Sequence, residues 1–198
     1  MGLDLDYTEG QTPLDEDEKE GILIPTITTR GELDEFEQLG VEKAIEWTMK
    51  RKFGLEQILT EEFVKELHKK MFADIWKWAG QFRTTNKNLG VDKSQIPIEL
   101  KKLLDDCRYW IDHKVFIEDE IAVRFSHRIV TIHPFANGNG RHSRLIADIL
   151  VSHGFGRPHF SWGSINLTAK GTARSAYLKV LRAADENNYQ FLIKFARQ

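Results

Sequence analysis

The sequence predicts an all-α protein with one β-hairpin. Apolar residues recur at three- and four-residue spacing in successive segments from residue 32 onward, which is typical of amphipathic helices. One segment, near residues 82–92, lacks this spacing and contains the Gly, Asn and Thr residues that favour turns and short strands. The chain has 198 residues, 41% of them hydrophobic, with five Trp and twelve Phe, which is enough for one core and atypical of a disordered chain.

The helices are predicted in chain order from their apolar stripes. The segments and stripes are 62–78 with Phe63, Leu67 and Met71; 99–113 with Leu100, Leu104 and Cys107; 118–131 with Ile121, Phe125 and Ile129; a helix starting around Gly138–Arg141 with Leu145 and Ile149; 172–185 with Tyr177, Leu181 and Ala184; and 188–196 with Tyr189, Leu192 and Phe195. Pro134 biases the residue before it, His133, away from helical geometry, so the third helix is predicted to end there. The stretch 186–188, Glu-Asn-Asn, is predicted to be the turn between the last two helices.

The predicted hairpin is the irregular segment between the first two of these helices. It combines Thr84 and Thr85, which favour strands, with Asn86, Asn88 and Gly90, which favour a turn. An isolated hairpin is marginally stable, so this one is expected to pack on the helices. Such an appendage would offer a binding edge.

Charge is distributed unevenly along the chain. Residues 1–40 hold twelve of the 30 acidic residues and two of the 28 basic ones, so this arm carries −10 and the remainder +8. One interpretation is a solvated acidic lead-in. The other is an acidic arm that lies across a basic, anion-binding body and competes with its ligand.

Several classes of protein are disfavoured by composition. The single cysteine, Cys107, cannot form an intrachain disulfide and suits a reducing compartment. No run of about 18 apolar residues is present and the first residues are acidic, so neither a membrane span nor a secretory signal is predicted, and we expect a cytoplasmic protein. Basic and aromatic residues do not alternate as in a nucleic-acid platform, so binding to DNA or RNA is not expected.

The segment 132–144, IHPFANGNGRHSR, carries the chemistry. Two glycines, Gly138 and Gly140, bracket Asn139 at the predicted start of a helix, where backbone N–H groups can converge and the helix dipole favours an anion. Arg141 and Arg144 lie three residues apart and so reach the same side of the first turn. The loop lacks the Lys-Ser/Thr pair of a Walker loop and the preceding strand of a dinucleotide fold. It therefore predicts a site for more than one phosphate, with His133 at its edge.

The string HPFANGNGRHSR at 133–144 resembles the signature of Fic domains, His-x-Phe-x-(Asp/Glu)-Gly-Asn-Gly-Arg-x-x-Arg, at every fixed position except Asn137. The segments WAGQFR at 78–83 and IPIELKKLL at 96–104 are similar to the Fic flap and the helix after it. The segments 12–21, 24–38 and 184–198 resemble a Fic subgroup called mobile mystery protein B. The resemblance implies the Fic fold, a helical bundle with a hairpin flap near 82–92. It also implies division into an acidic arm, 1–40, for which regulation is one open role, and a Fic domain, 41–198.

The resemblance also implies transfer of AMP from ATP to a Ser, Thr or Tyr hydroxyl of a target protein, with release of pyrophosphate. His133 would be the general base, for which an imidazole is suited at neutral pH. The nucleotide-binding residues would be Gly138, Asn139, Gly140, Arg141 and Arg144, with Phe135 holding the loop from the core. The flap would dock the target by strand-like pairing through Arg83, Thr84, Thr85, Asn86, Lys87, Asn88 and Leu89.

Position 137 departs from the family pattern. Its usual Asp or Glu holds Mg²⁺ between the phosphates, whereas Asn137 offers a neutral oxygen, so ATP is expected as cofactor and Mg²⁺ as a more weakly held one. Three alternatives stay open: another nucleotidyl or phosphoryl transfer, removal of AMP, and a nucleotide-dependent binding module with little catalysis. A zinc site from His127, His133 and His142 is not predicted, and His142 is expected to face solvent or the rim of the loop.

Fic proteins are often restrained by a glutamate that pairs with the second arginine of the signature. The nearest string here is Glu20-Gly21, which lacks the usual Ser or Thr at its head. One hypothesis is that Glu20 pairs with Arg144 and displaces the γ-phosphate. The alternative is restraint by a separate protein, such as the helix-turn-helix, antitoxin-like partner that the subgroup resemblance implies for a toxin–antitoxin pair.

Overall fold

The computed structural model describes residues 12–164 and 172–198, and within these ranges the regular structure is helical. The α-helices are α1 (Glu16–Lys19), α2 (Arg30–Met49), α3 (Leu55–Ile58), α4 (Glu61–Phe72), α5 (Ile96–Asp112), α6 (Glu118–Ile132), α7 (Asn139–Ile149), α8 (Thr172–Asp185) and α9 (Gln190–Arg197). Short 3₁₀ turns lie at Lys93–Gln95 and Trp162–Ser164, and a π-helical turn at Leu150–Gly154 extends α7. The all-helical prediction is confirmed.

Helix boundaries follow local chemistry. The Thr60 hydroxyl accepts a hydrogen bond from the Phe63 N–H and caps α4, and Thr29 with Glu32 forms a capping box at the start of α2. Helix α6 ends where His133 adopts left-handed geometry, φ 55° and ψ 59°, directly before Pro134. The predicted turn after α8 is confirmed, since α9 begins only at residue 190.

Helix α6 lies at the centre of the core, packed against α5, α7 and α9, while α2 packs against α4. Its apolar stripe, Ile121, Phe125 and Ile129, is buried as the spacing predicts. Because α6 packs against three other helices, the position of its C-terminal end, where the next loop begins, is well defined.

The prediction of a β-hairpin at 82–92 is wrong: no strand is found in this segment. The backbone N–H groups of its two ends bond to residues 132–134 instead of pairing with each other, since the Arg83 N–H donates to the Pro134 carbonyl at 2.9 Å and the Val91 N–H to the Ile132 carbonyl at 3.3 Å. The Thr residues favour extended backbone, but the backbone partners of that extended chain come from residues 132–134. The segment is therefore an irregular flap laid against the end of α6.

The described part of the N-terminal arm packs against the chain that follows α4. Residues 20–24 run beside the turns after α4, where the Leu23 N–H donates to the Ile75 carbonyl at 2.8 Å and the Lys77 N–H to the Gly21 carbonyl at 2.9 Å. The first eleven residues of the predicted arm lie outside the described residues. Helix α2 runs unbroken across residue 40, the predicted boundary between arm and domain. In the part of the chain that the structure describes, no helix combines the length and the apolar character that crossing a membrane requires.

Candidate active site

His133 stands at the junction of α6 and the signature loop. Its ring is buried, with 7% of the residue exposed, and its Nδ1 lies 3.2 Å from the Val130 carbonyl oxygen. Because a carbonyl oxygen only accepts hydrogen bonds, Nδ1 carries the ring proton and Nε2 presents a lone pair. The Arg83 Nε donates to the His133 carbonyl at 2.7 Å and fixes the backbone from the flap side.

Burial keeps this imidazole neutral. Desolvation lowers the pKa of His133 to about 4, and the positive charges of Arg83 and Lys87 act in the same direction, against the hydrogen bond that His133 donates to the Val130 carbonyl, which raises it. At neutral pH His133 is therefore unprotonated at Nε2, the state that a general base requires.

The loop after His133 is braced from the core. Phe135 is fully buried and stacks on the ring of His68 at 3.7 Å between centroids, as the prediction that it holds the loop requires. The side chain of Asn139 bonds back to Phe135, accepting from its N–H at 2.9 Å and donating to its carbonyl at 2.7 Å. Asn139 thus shapes the loop with its side chain, and only its backbone N–H can face a phosphate.

Two buried histidines support this loop, and neither role was predicted. The His68 Nδ1 accepts from the Gly80 N–H at 3.0 Å, so its Nε2 donates to the Asn137 carbonyl at 3.0 Å. The expectation that His142 faces solvent is wrong: it is fully buried beside Phe135, and its Nε2 lies 2.9 Å from the Val64 carbonyl oxygen. The imidazole packs edge-on against the ring of Phe135, which an interior position allows. The sequence did not indicate this burial, because His142 directly follows a charged residue, Arg141.

The N-terminus of α7 forms the expected anion-binding face. Gly138 has φ 76°, and a Cβ there would lie 2.5 Å from the ring of Phe72. The first helical N–H with a partner within the helix is that of His142, which donates to the Gly138 carbonyl at 2.9 Å. The preceding N–H groups at the helix start have no acceptor within the helix and can bind an anion.

Arg141 is positioned by a buried carboxylate. Its Nη2 donates to Glu37 at 2.5 Å, its guanidinium lies over the ring of Phe72 at 5.1 Å, and its buried Nη1 has no hydrogen-bond partner among the residues that the structure describes. Glu37 is fully buried in α2 and also accepts from the Trp76 indole N–H at 2.8 Å. Arg144 lies one turn on, over the ring of Tyr177 at 5.2 Å. Neither Glu37 nor Tyr177 was predicted as part of the site.

His133, the start of α7, Arg144 and Tyr177 line one cavity of about 390 Å³. Five arginines contribute to its walls: Arg30, Arg141, Arg144, Arg174 and Arg182. Three of them, from α2 and α8, were missed by sequence reasoning. Arg174, Leu178, Leu181 and Arg182 do share one face of α8 by their spacing, but spacing does not show what a face meets. The concentration of positive charge suits a polyphosphate.

Asn137 does not fit the predicted role of magnesium ligand in this arrangement. Its Oδ1 accepts from the Gly138 N–H at 2.6 Å, which fixes the orientation of the amide, and its buried Nδ2 has no partner among the described residues. A free donor at the cavity wall suits an anionic oxygen and not a cation. Within residues 12–164 and 172–198, no three His, Cys, Asp or Glu side chains cluster as a metal site.

The flap residues fall into three groups. Arg83 is a buried brace, and Asn86 links the flap to its own end by donating to Asp92 at 2.7 Å. Thr84, Asn88 and Leu89 are exposed, and Leu89 lines the cavity. Thr85 and Lys87 hold the N-terminal arm: Lys87 Nζ lies 2.7 Å from Asp15 and 2.5 Å from Glu18, and Thr85 Oγ1 donates to Asp15 at 2.7 Å.

The structure does not bring Glu20 and Arg144 together. The Glu20 side chain is exposed, and these two described residues form no ion pair. The acidic arm instead contacts Lys87, through Asp15 and Glu18, and reaches the base directly: the Thr12 Oγ1 lies 2.8 Å from the Nε2 of His133. Thr12 was not predicted as a site residue, and nothing in its local sequence distinguishes it.

Comparison with known proteins finds similarity to Fic proteins in sequence and in fold. Residues 58–151 match the model of the Fic/DOC family. The "Protein adenylyltransferase Fic" of Nematostella vectensis is 27% identical over 128 residues, which cover 62% of this chain and 30% of that protein. The chain thus spans less than a third of this curated relative.

Two solved structures share the fold. The Fic-1 fragment from C. elegans superimposes with a TM-score of 0.65 at 20% identity over 90% of this chain and 51% of that one. BepC, a VirB-translocated effector of Bartonella tribocorum solved with bound AMPPNP, gives a TM-score of 0.62 at 20% identity over 96% and 93% of the two chains.

Proposed function

We propose, from the match of residues 58–151 to the Fic/DOC family, that the protein transfers AMP from ATP to a hydroxyl side chain of a protein. One observation carries the proposal. The unprotonated Nε2 of His133 lies 2.8 Å from a hydroxyl oxygen, at the wall of a cavity that also holds the N-terminus of α7 and its arginines. A base within 2.6–3.2 Å of the proton that it removes meets the geometric requirement for general-base catalysis.

The proposed step uses the cavity as follows. The phosphates of ATP lie against the N–H groups at the start of α7, with Arg141 and Arg144 balancing their charge. His133 accepts the hydroxyl proton at Nε2 while the hydroxyl oxygen attacks the α-phosphorus. The bond from that phosphorus to the bridging oxygen breaks, and pyrophosphate leaves with the electron pair. Positioning and charge stabilisation supply the catalysis, so no covalent enzyme intermediate is needed.

Several features support His133 as the base over the other histidines of this region. His127 lies in the same cavity, but its Nε2 is 2.8 Å from Asp185 and its Nδ1 is 3.3 Å from the Tyr189 hydroxyl, so both ring nitrogens are engaged. His68 and His142 are fully buried and bond to backbone. Among these four, His133 meets an aliphatic hydroxyl, that of Thr12, whereas the hydroxyl that meets His127 belongs to the buried Tyr189.

The test is incubation of the purified protein with cell lysate, Mg²⁺ and ATP labelled either at the α- or at the γ-phosphate. We expect protein labelling from α-labelled ATP only, and its loss in His133→Ala. His113→Ala is the matched control, because His113 is exposed at the end of α5 and should leave labelling unchanged. Labelling from the γ-phosphate would replace AMP transfer by phosphoryl transfer, and no labelling with either isotope would contradict both.

A further inference from the structure

The N-terminal arm enters the candidate active site in the place of a protein target. From α1 backwards, the chain crosses the flap through Asp15 and Pro13 and ends, among the described residues, at Thr12 on the cavity wall. Thr12 and Leu14 are buried, with 6% and 4% of each residue exposed. The arm therefore occupies the face that would otherwise receive an external polypeptide.

The hydroxyl of Thr12 is directed at the base. The contact with the Val130 carbonyl fixes the ring proton of His133 on Nδ1. Nε2 can therefore only accept, and the Thr12 O–H donates to it across 2.8 Å. Thr12 shares the cavity wall with Asn139 and Gly140, at whose N–H groups the phosphates would bind. A nucleophilic oxygen, a base and an anion site are thus present together within one chain.

A buried lysine holds the arm in this position. Only 3% of the Lys87 side chain is exposed, and its Nζ donates to Asp15, to Glu18 and, at 3.3 Å, to the Pro13 carbonyl. The Trp78 indole N–H donates to the Glu18 carbonyl at 3.0 Å and fixes the arm one turn further from the site. This series of contacts removes the conformational freedom that an unrestrained terminus would have, and so holds the Thr12 hydroxyl at a high effective concentration.

We propose that Thr12 is a substrate of this enzyme in cis, modified by AMP on its own hydroxyl; the inference rests on the function proposed above. The Thr12 Oγ–H bond breaks as its proton moves to Nε2 of His133. The oxygen forms a bond to the α-phosphorus of ATP, the bond to the bridging oxygen breaks, and pyrophosphate leaves. The product is a phosphodiester that joins Thr12 to AMP.

A purely obstructive arm would need no hydroxyl at this point. Any side chain of similar volume, such as valine, would fill the space above the ring, whereas the structure directs the one reactive atom of Thr12 at the one free lone pair of His133. This is the relation of a substrate to a base, and it distinguishes modification from occlusion.

The experiment is peptide mass spectrometry of the purified full chain after incubation with ATP and Mg²⁺. We expect one adenylyl group on the peptide that contains Thr12 in the wild type and in Thr12→Ser, and its reduction to background in Thr12→Val and in His133→Ala. Lys87→Met, which keeps the aliphatic stem and removes the charge that clamps the arm, should slow this modification about tenfold. His113→Ala, at an exposed residue away from the cavity, should carry the adenylyl group as the wild type does.

The reaction order establishes that the modification occurs within one molecule. The rate per molecule should stay constant over a hundredfold dilution, and a tagged His133→Ala chain mixed with wild type should remain unlabelled. An unmodified Thr12 in a chain that labels lysate proteins would overturn this inference and leave the proposed function standing. If neither the wild type nor Thr12→Val labels any protein, the proposed function falls with it.

Discussion

At the scale of single residues, Asn137 decides how the loop treats a cation. Its Oδ1 is engaged by the Gly138 N–H and its Nδ2 is a buried donor without a partner. We expect Asn137→Asp to keep the bond from Gly138 through one carboxylate oxygen and to present the other to Mg²⁺. Since carboxylates are preferred Mg²⁺ ligands, the Mg²⁺ concentration for half-maximal AMP transfer should fall about tenfold. Titration of labelling against Mg²⁺ measures this, and an unchanged midpoint in the variant would show that position 137 does not contact the metal.

The buried carboxylate of Glu37 provides a second prediction at this scale. In Glu37→Gln the indole of Trp76 keeps an acceptor, but Arg141 loses its counter-charge in a site where Glu37 is fully buried. Breaking one side of a buried pair costs about 3–5 kcal/mol, and we expect the low end because Arg141 keeps 13% of its side chain exposed. Urea unfolding measures the loss.

The double variant Glu37→Gln with Arg141→Gln is the control for that prediction. If the ion pair causes the loss, the two substitutions together should destabilise the fold by clearly less than the sum of the single variants. Strict additivity would mean that Glu37 acts through Trp76 alone.

At the scale of elements, two glycines at the start of α7 allow an effect on folding to be distinguished from an effect on ligand binding. A Cβ at Gly138 would lie 2.5 Å from the ring of Phe72 at φ 76°, whereas a Cβ at Gly140 would meet only Arg144 Nη1, at 3.7 Å. Gly138→Ala should therefore destabilise the fold by about 1–3 kcal/mol. Gly140→Ala should leave stability unchanged or raise it by up to about 1 kcal/mol, because alanine favours the helix.

The same pair of variants is matched in chemistry, and ATP binding provides the second measurement. Gly138 and Gly140 both line the cavity, so both variants should bind ATP more weakly by calorimetry, Gly138→Ala because its methyl group meets Phe72 and displaces the loop. A stable Gly140→Ala chain with undiminished affinity would contradict the assignment of this face to phosphate.

The flap is an element whose structure depends on its surroundings. Its N–H groups at Arg83 and Val91 donate to the carbonyls of Pro134 and Ile132, which ties the flap to the backbone on both sides of His133. A Cβ at Gly90 would lie 2.6 Å from the Cβ of His133, which shows how closely the two segments pack. The hairpin was predicted from residues that favour strands and turns. Such local preferences do not identify which segment supplies the backbone partners, and here that segment is 132–134.

At the scale of the whole molecule, Asp148 joins α7 to the chain that leads into the C-terminal helices. Its carboxylate accepts from the Trp162 indole N–H at 3.1 Å and from the Phe160 N–H at 3.1 Å. Burial is the main reason that the pKa of Asp148 rises to about 7, against these hydrogen bonds and the charge of Arg144, which lower it. The folded chain thus retains a proton here that the unfolded chain loses near its ordinary pKa of 3.8.

The sign of the resulting pH dependence follows from linkage. Between pH 4 and 7 the folded state binds more protons at Asp148 than the unfolded state, so this group lowers stability as the pH rises through that window. Asp148→Asn keeps an acceptor for both donors and has no charge to bury. We expect the difference in Tm between variant and wild type to grow from near zero at pH 4 to about 5 °C at pH 8. A difference that does not change with pH would contradict the raised pKa.

Much of the site was predictable because it is local in the chain. The signature segment 133–144 spans one helix end, one turn and one helix start, so a proline, two glycines and two arginines specify its geometry between near neighbours. The helices were predictable for a similar reason, since a stripe such as Ile121, Phe125 and Ile129 reports that a face is buried. Burial of that kind is a property of one segment alone.

What periodicity does not contain is the identity of the partner. Thr12 meets His133 across 121 positions, Glu37 meets Arg141 across 104, and Lys87 meets Asp15 across 72. Charge counts indicated an acidic arm and a basic body, but a net charge has no direction, and the arm pairs with the flap and not with Arg144. Such contacts depend on how the helices pack around α6, because packing alone determines which distant atoms come within hydrogen-bond distance. The residues of the loop therefore indicated its chemistry by themselves, whereas the placement of the arm, with Thr12 beside His133, was decided by the tertiary structure alone.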